Sequence, residues 1–361
     1  MLSTILKQLV SIRTVSHDNS ANKRLLDVAA NTFEKFLFIK QFSSNSYPSL
    51  VATSRRMKKP KLLLVAHTDV ITGSEKLFTV KAHAGKLFGR GVLDMKFALA
   101  CYIQLMNELG ADVRMLDVGI MLTSDEEIGG FNGVEFLLQK GYGADFVCMP
   151  DGGMNWQIER GSKGMWHVDF DVRGKAAHAA HPWEGESAII TFFRFLQDLE
   201  KEFRPRVPCD GTHYHDTLTV SRIEGGDTMN QVPARLAASV NIRYVPETSK
   251  TELVRRIQRA LKKYPQVSFK ERVHGHAWIT DTSHPHIKKF VSVAKQHGIS
   301  VGETFSHGSS DARFFTERGI PVLTIWPRGG GHHGDEEWIG VRDFEVYYRI
   351  LKDWVLAVAK R

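Results

Sequence analysis

Four short runs of almost wholly apolar residues, 62–66, 118–123, 145–149 and 321–326, constrain this chain's fold more than any other feature. A strand that is apolar on both faces must be covered on both faces, and parallel sheets are built that way. The runs alternate with segments of helical spacing at 95–109 and 134–139, and 344–359 reads as a closing helix. Strands alternating with helices imply an α/β fold, a mostly parallel sheet flanked by helices.

The middle of the chain reads differently. Residues 165–172 alternate apolar and polar, as a half-exposed strand does, and 187–203 is helical. Strands at 217–223 and 235–245 follow, then a helix at 249–263 with Ser249 and Glu252 spaced as a capping box, then a strand at 267–273. The order β-α-β-β-α-β folds into a four-stranded ferredoxin-like sheet backed by two helices. One α/β domain, 1–163 and 279–361, is therefore expected to be interrupted by an α+β domain at 164–278.

Ligands of open α/β sheets bind beyond the carboxyl ends of the strands, and here those ends are loaded. The first run leads into His67-Thr68-Asp69, the second into Ser124-Asp125-Glu126-Glu127, the third into Pro150-Asp151, and the fourth into a glycine-rich stretch with His332 and His333. Between the first two, a glycine-rich turn delivers Asp94 just ahead of a helix. Any one of these carboxylates alone reads as a turn residue or a helix cap. Their joint placement at four strand ends reads as a metal centre. Histidine and carboxylate without cysteine suit zinc, with cobalt or manganese as substitutes. Charge favours two ions: Asp94, Glu127 and Asp151 with one hydroxide balance four positive charges. A carboxylate touching both ions must be central, and Asp94 is the candidate. Glu126 and Glu127 point in different directions, so one binds metal while the other serves as general base. Asp69, two residues after His67 and on the same side, is placed to accept from the imidazole and orient it.

The formal charge of +8 raises nucleic acid as a partner. The basic residues are scattered, however, and the densest cluster, Arg55, Arg56, Lys58, Lys59 and Lys61, runs into a hydrophobic strand with no recognised nucleic-acid motif. A basic surface that attracts small anionic substrates is the better reading. Three cysteines, Cys101, Cys148 and Cys209, show no paired spacing, which suits a reducing cytoplasm rather than a disulfide framework. The amphipathic start shows no signal-peptide pattern, and no run is long enough to span a membrane.

The residues resemble the co-catalytic zinc metallopeptidase family of acetylornithine deacetylase, succinyl-diaminopimelate desuccinylase, carboxypeptidase G, aminoacylase and several dipeptidases. The resemblance rests on His67-Thr68-Asp69, on Gly89 to Lys96 as Gly-Arg-Gly-x-x-Asp-Met-Lys, and on Glu126-Glu127-Ile128-Gly129. It rests also on Asp151 and on His333 ahead of Asp335-Glu336-Glu337-Trp338, and it covers nearly the whole chain. It implies that His67 and Asp151 hold one zinc, Glu127 and His333 the other, with Asp94 bridging, Glu126 as base and Asp69 supporting His67. His332 competes for the late position, and the spacing to the following Glu favours His333. A cis peptide between Asp94 and Met95 is implied as well. The inserted domain resembles the family's lid and dimerisation domain. There His178 would stabilise the tetrahedral intermediate, in its own chain or across a homodimer, and Asn230 would face the oxyanion. Arg243, in Asn241-Ile242-Arg243 where the family pattern has Asp-x-Arg, would grip a substrate carboxylate. Ser309 and Ser310, in Gly308-Ser309-Ser310-Asp311-Ala312-Arg313, would line the pocket.

The implied substrate is an N-acyl amino acid with a free carboxylate, cleaved by a deacetylase- or desuccinylase-like reaction. The alternative is an exopeptidase or dipeptidase on the same scaffold. Asp151, where the best-known deacylases carry Glu, is more familiar from the peptidase and aminoacylase branches. A binding protein that has lost catalysis would lack a ligand or the base, and none is missing.

Overall fold

The computed structural model describes residues 1–204 and 212–360, and the chain divides into two compact units. Cys209 lies outside the described residues; Cys101 and Cys148 are buried thiols.

The first unit comprises Met1–Arg160, Ile279–Ser306 and Ser310–Arg361. Its sheet is centred on Leu62–His67, buried along its whole length. That strand pairs in parallel with Val118–Thr123 on one side and Phe146–Cys148 on the other, and Val322–Leu323 extends the sheet in parallel beyond Phe146–Cys148. The fourth apolar run contributes only these two residues because its later backbone groups bond elsewhere. Glu159 N donates to Thr324 O at 2.9 Å and Trp326 N to Gly153 O at 3.0 Å. A hairpin not anticipated from the sequence, Phe38–Ser44 with Tyr47–Thr53, adds two antiparallel strands at the opposite edge. It turns through Asn45 and Ser46 at φ 46° and 70°, the left-handed region that Asn tolerates. The helix Lys96–Leu109 is buried from Lys96 to Met106, which is why its sequence is apolar nearly all round. The three central parallel strands end on one edge, so His67, Thr123 and Cys148 deliver the loops that follow to the same side.

The second unit comprises Gly161–Trp278 together with His307–Ser309. Its four antiparallel strands run in the order Thr217–Gly225, Arg235–Tyr244, Gly164–Arg173, Val267–Gly275. One face packs Trp166, Val168, Phe170 and Val172 against Phe192, Phe195 and Leu199 of the helix Ala188–Phe203 and against Leu253 and Ile257 of the helix Lys250–Leu261. Truncating one of these buried aromatics to Ala costs about 3–5 kcal/mol. Ser187 Oγ accepts from Ile190 N at 3.3 Å and caps the first helix. The second helix shows half of the expected capping box. Ser249 Oγ accepts from Glu252 N at 3.2 Å, but the Glu252 carboxylate turns to Arg259 Nη2 at 3.1 Å and Arg256 Nε at 3.4 Å. A charged partner one or two turns on outcompetes a neutral amide. His307–Ser309, which the sequence alone assigns to the α/β domain, groups here through Ser162 Oγ, which donates to Gly308 O.

Candidate functional site

The loops beyond the parallel strands gather six side chains into two groups, His67–Glu126–Asp151 and Asp94–Glu127–His333. Within each group the nitrogen and oxygen atoms lie within 4.8 Å of one another, and these are the groups of that kind among the described residues. Asp94 connects the two. Its Oδ1 lies 3.0 Å from His67 Nε2 and its Oδ2 lies 3.3 Å from His333 Nε2. His333 Nε2 also lies 3.1 Å from Glu127 Oε2, and His67 Nε2 lies 3.8 Å from Asp151 Oδ1. The other oxygen of Asp151, Oδ2, is buried with no hydrogen-bond partner. His332 takes no part in either group; its ring packs edge-on against Trp326 at 5.3 Å.

Local backbone explains this convergence. Asp69 places its carboxylate under the single helical turn that starts at Glu126. Glu126 N donates to Oδ1 and Glu127 N to Oδ2, both at 3.2 Å. The imidazole of His67 is held by a different atom than expected: Nδ1 lies 3.0 Å from the Asp69 backbone carbonyl and 3.6 Å from the carboxylate. The carboxylate has two amides and the Ser16 hydroxyl to satisfy, so it orients the Glu126–Glu127 turn while the carbonyl orients the ring. Gly129 caps that turn, and at the next residue, Gly130 at φ 67°, a Cβ would lie 1.8 Å from Asp311 Oδ1. Burial pushes the Asp311 carboxyl up to about 8.

The Asp94–Met95 peptide is cis, as the resemblance implied. Holding the preceding turn is Glu337, a residue to which the sequence assigned no role beyond spacing. Only 2% exposed, its carboxylate accepts from Arg90 Nη1 and Gly91 N at 3.0 Å, from Leu93 N at 2.9 Å and from Asp94 N at 3.1 Å. Burial and the charge of Asp94 push this carboxyl up, and the three amides pull it back. Glu337→Gln sets an amide N–H₂ against donors only. It is expected to lower the unfolding free energy by about 3–5 kcal/mol, the cost of breaking a buried charge pair. Urea unfolding at unchanged m-value reads this as a shift in midpoint.

The electrostatics ask for cations. Burial pushes the carboxyls of Glu126, Glu127 and Asp151 above their ordinary range. Bonds to Asp94 and Glu127 hold the His333 imidazole up to about 10. Burial opposes protonation of His67, yet its carboxylate neighbours, Asp151 first, hold it well above the usual value. Buried carboxylates packed this closely repel, and in the absence of a metal only protons on two imidazoles offset them. A nitrogen- and oxygen-only donor set with one carboxylate shared between two groups, and a buried oxygen left unbonded, fits two divalent ions.

The model of Peptidase family M20/M25/M40 matches residues 63–357. The chain belongs to this family. It is a metal-dependent hydrolase of amide bonds. A succinyl-diaminopimelate desuccinylase of Rickettsia akari (strain Hartford) is 26% identical over 384 residues, covering 96% of this chain and 98% of the relative. Among solved structures, a tripeptidase from Staphylococcus aureus subsp. aureus Mu50 superposes with a TM-score of 0.80 at 19% identity, covering 100% and 98% of the two chains. A Bacillus subtilis dinuclear metal-binding peptidase of the M20 family superposes with a TM-score of 0.70 at 14% identity, covering 100% and 98%. These two likenesses bear on the fold, a mixed α/β architecture that this M20 chain shares.

The remaining sequence-predicted residues of the M20 chain lie as follows. In the second unit, the exposed His178 faces Gln231 across a short antiparallel bridge, and Ala179 N donates to Asn230 O at 2.9 Å, so the His178 and Asn230 segments are brought side by side. His178 Nδ1 accepts from Ala180 N at 3.1 Å, which leaves Nε2 as the protonated nitrogen of the neutral ring. Arg243 sits half-buried on the strand Arg235–Tyr244 and Ser309 in the His307–Ser309 segment. Ser310 belongs to the first unit, 6% exposed, its hydroxyl buried and unbonded. No helix among the described residues is long and apolar enough to cross a membrane.

Proposed function

We propose that this M20 chain uses two zinc ions to remove an acyl group from an N-acyl amino acid bearing a free carboxylate. The observation that carries the reading is Asp94, which offers one oxygen toward each of the two groups. His67 and Asp151 would hold one ion, Glu127 and His333 the other, with Asp94 bridging. When bound, the ions supply Lewis acidity, polarising the scissile carbonyl and making water nucleophilic at neutral pH. Glu126, held by its amide to Asp69, takes the proton of the attacking water and returns it to the leaving amine. Burial and the charge of Asp151 raise its carboxyl, the direction that favours taking up a proton. His178 Nε2–H and Asn230 are donors for the developing oxyanion. Arg243 grips the substrate carboxylate, and the loop of Ser309 and Ser310 lines the pocket. The unit Gly161–Trp278 serves as lid and as the contact of a homodimer, and the compartment is the cytoplasm.

The desuccinylase relative supports the deacylase reading, since the match spans both chains nearly end to end. Asp151 in place of Glu favours a second reading, an exopeptidase or dipeptidase. A panel of N-acetyl and N-succinyl amino acids and dipeptides, assayed with added zinc or cobalt, separates the two. Elemental analysis is expected to give about two ions per chain, with activity lost on chelation and restored by zinc. A trace of metal with activity intact after chelation would refute the reading.

A further inference from the structure

The inserted sheet has one face against its helices and one open face. Alternation puts Met165, His167, Asp169 and Asp171 of Gly164–Arg173 on the open face, beside Ser239, Asn241 and Arg243 of Arg235–Tyr244. Half of this face is satisfied internally. Ser239 Oγ donates to Asp169 Oδ1 at 2.7 Å, Arg272 Nη1 lies 3.9 Å from that oxygen, and Arg222 pairs with Glu224.

The other half is not. Arg243 is half-buried, and among the described residues its guanidinium has neither an ion pair nor a hydrogen bond; burial alone depresses it. His167 Nε2 and Asn241 Oδ1 are buried and unbonded. The three are neighbours: Asn241 stands opposite His167 in register, and Arg243 opposite Met165, which makes Arg243 and His167 diagonal partners on one face. Lys163, 2% exposed, adds a further positive charge, its ammonium donating to His213 O at 3.0 Å. Asp216, the acid whose charge Lys163 feels, is already committed to Arg256 Nη1 and Thr248 Oγ1 at 2.7 Å and to Val245 N at 2.8 Å.

Buried polar atoms without partners are rare because each costs the free energy of a lost hydrogen bond. Here His167 Nε2 lies on one face with a guanidinium that has no partner among the described residues, and the two present donors to an anion that accepts from several directions. The planar fork of Arg243 suits a carboxylate. Asn at position 241 matters here, because an Asp two residues from Arg243 on the same face would neutralise it. We propose that His167 is a specificity-determining residue that joins Arg243 in holding the free carboxylate of the substrate, and that Asn241 keeps this face free of the negative charge an Asp would bring. This rests on the assignment of Arg243 made under Proposed function. Burial and the charges of Arg243 and Arg272 keep the His167 imidazole below its usual range.

The test compares His167→Leu, which removes the donor, with His167→Gln, which keeps an N–H donor. The substrates are the best carboxylate compound of the panel and its carboxamide. For the carboxylate, H167L is expected to raise KM about tenfold with kcat within about threefold, while H167Q stays within about threefold of the parent in both. Asn241→Asp is expected to raise KM as well. The carboxamide, poor for every protein, should show no further loss in H167L. An unchanged KM in H167L, or an equal rise for the carboxamide, overturns the proposal and leaves the hydrolase reading standing. If no panel compound is cleaved, the hydrolase reading fails, and the site is judged by calorimetric titration of N-acetylglycinate against N-acetylglycinamide. A preference for the anion that is lost in both H167L and Arg243→Ala supports it; no preference, or one that survives H167L, overturns it.

Discussion

Glu126→Gln is expected to leave metal content unchanged and to lower kcat by a factor on the order of 10²–10⁴, the usual worth of a positioned general base. The substitution keeps shape and removes only the capacity to take a proton. Its amide stays bonded to Asp69 Oδ1 at 3.2 Å, so the turn that carries Glu127 is undisturbed. Glu127→Gln is expected to act differently. Glu127 Oε2 lies 3.1 Å from His333 Nε2 inside the group shared with Asp94, and loss of its charge should lower metal occupancy before it lowers the rate of loaded enzyme. Geometry makes this pair a sharp test, because Glu126 also lies among the ligand atoms of His67 and Asp151. Metal content by elemental analysis beside kcat on fully loaded protein separates the two roles. If E126Q loses metal and E127Q keeps it, the assignment within the pair is reversed.

The parts of the site that could be read from the sequence are those written in one short segment. His67, Glu126, Glu127 and Asp151 each follow an apolar strand at once, and Asp94 follows its turn, so position relative to a strand end was enough to nominate them. The inserted unit was expected from a change of period, from continuous apolar runs to alternation, and the structure groups Gly161–Trp278 with His307–Ser309. What escaped depends on partners far apart in sequence. Glu337 bonds the amide of Asp94 across 243 residues, and nothing local marks it as more than one acid in an acidic pair. The hairpin Phe38–Thr53 escaped because Tyr47–Thr53 is buried at five consecutive positions and shows no alternation. Asp69 was nominated to accept from the His67 imidazole through its carboxylate, and its backbone carbonyl lies nearer that ring. Its carboxylate serves the Glu126–Glu127 amides, a competition visible only once both loops are in place.

Mixing two nearly inactive proteins, Glu126→Gln and His178→Ala, is expected to restore activity. Each alone should lose a factor on the order of 10²–10³ or more, E126Q through the base and H178A through an oxyanion donor. Shared sites would cover surfaces that the inserted unit leaves open. Two strands of the inserted sheet, Thr217–Gly225 and Val267–Gly275, are edges, and the helix Ala188–Phe203 exposes Ile190 and Phe193 on one side. Edge strands invite pairing, and a two-fold pairing of identical edges closes on itself. His178 is on the same unit, exposed, its Nδ1 occupied by Ala180 N and its Nε2–H pointing to no partner within its loop. A donor held this way is preorganised yet has no task in its own unit. If the task is in the neighbour's centre, a mixed dimer contains one site with both residues intact and one with neither. Random exchange of equal amounts makes about half the dimers mixed, so about a quarter of all sites should work. Recovery toward that fraction, rising as subunits exchange, identifies a shared site. No recovery in subunits shown to exchange by size or mass labelling means that His178 serves its own chain, and a strictly monomeric active enzyme removes the dimer altogether.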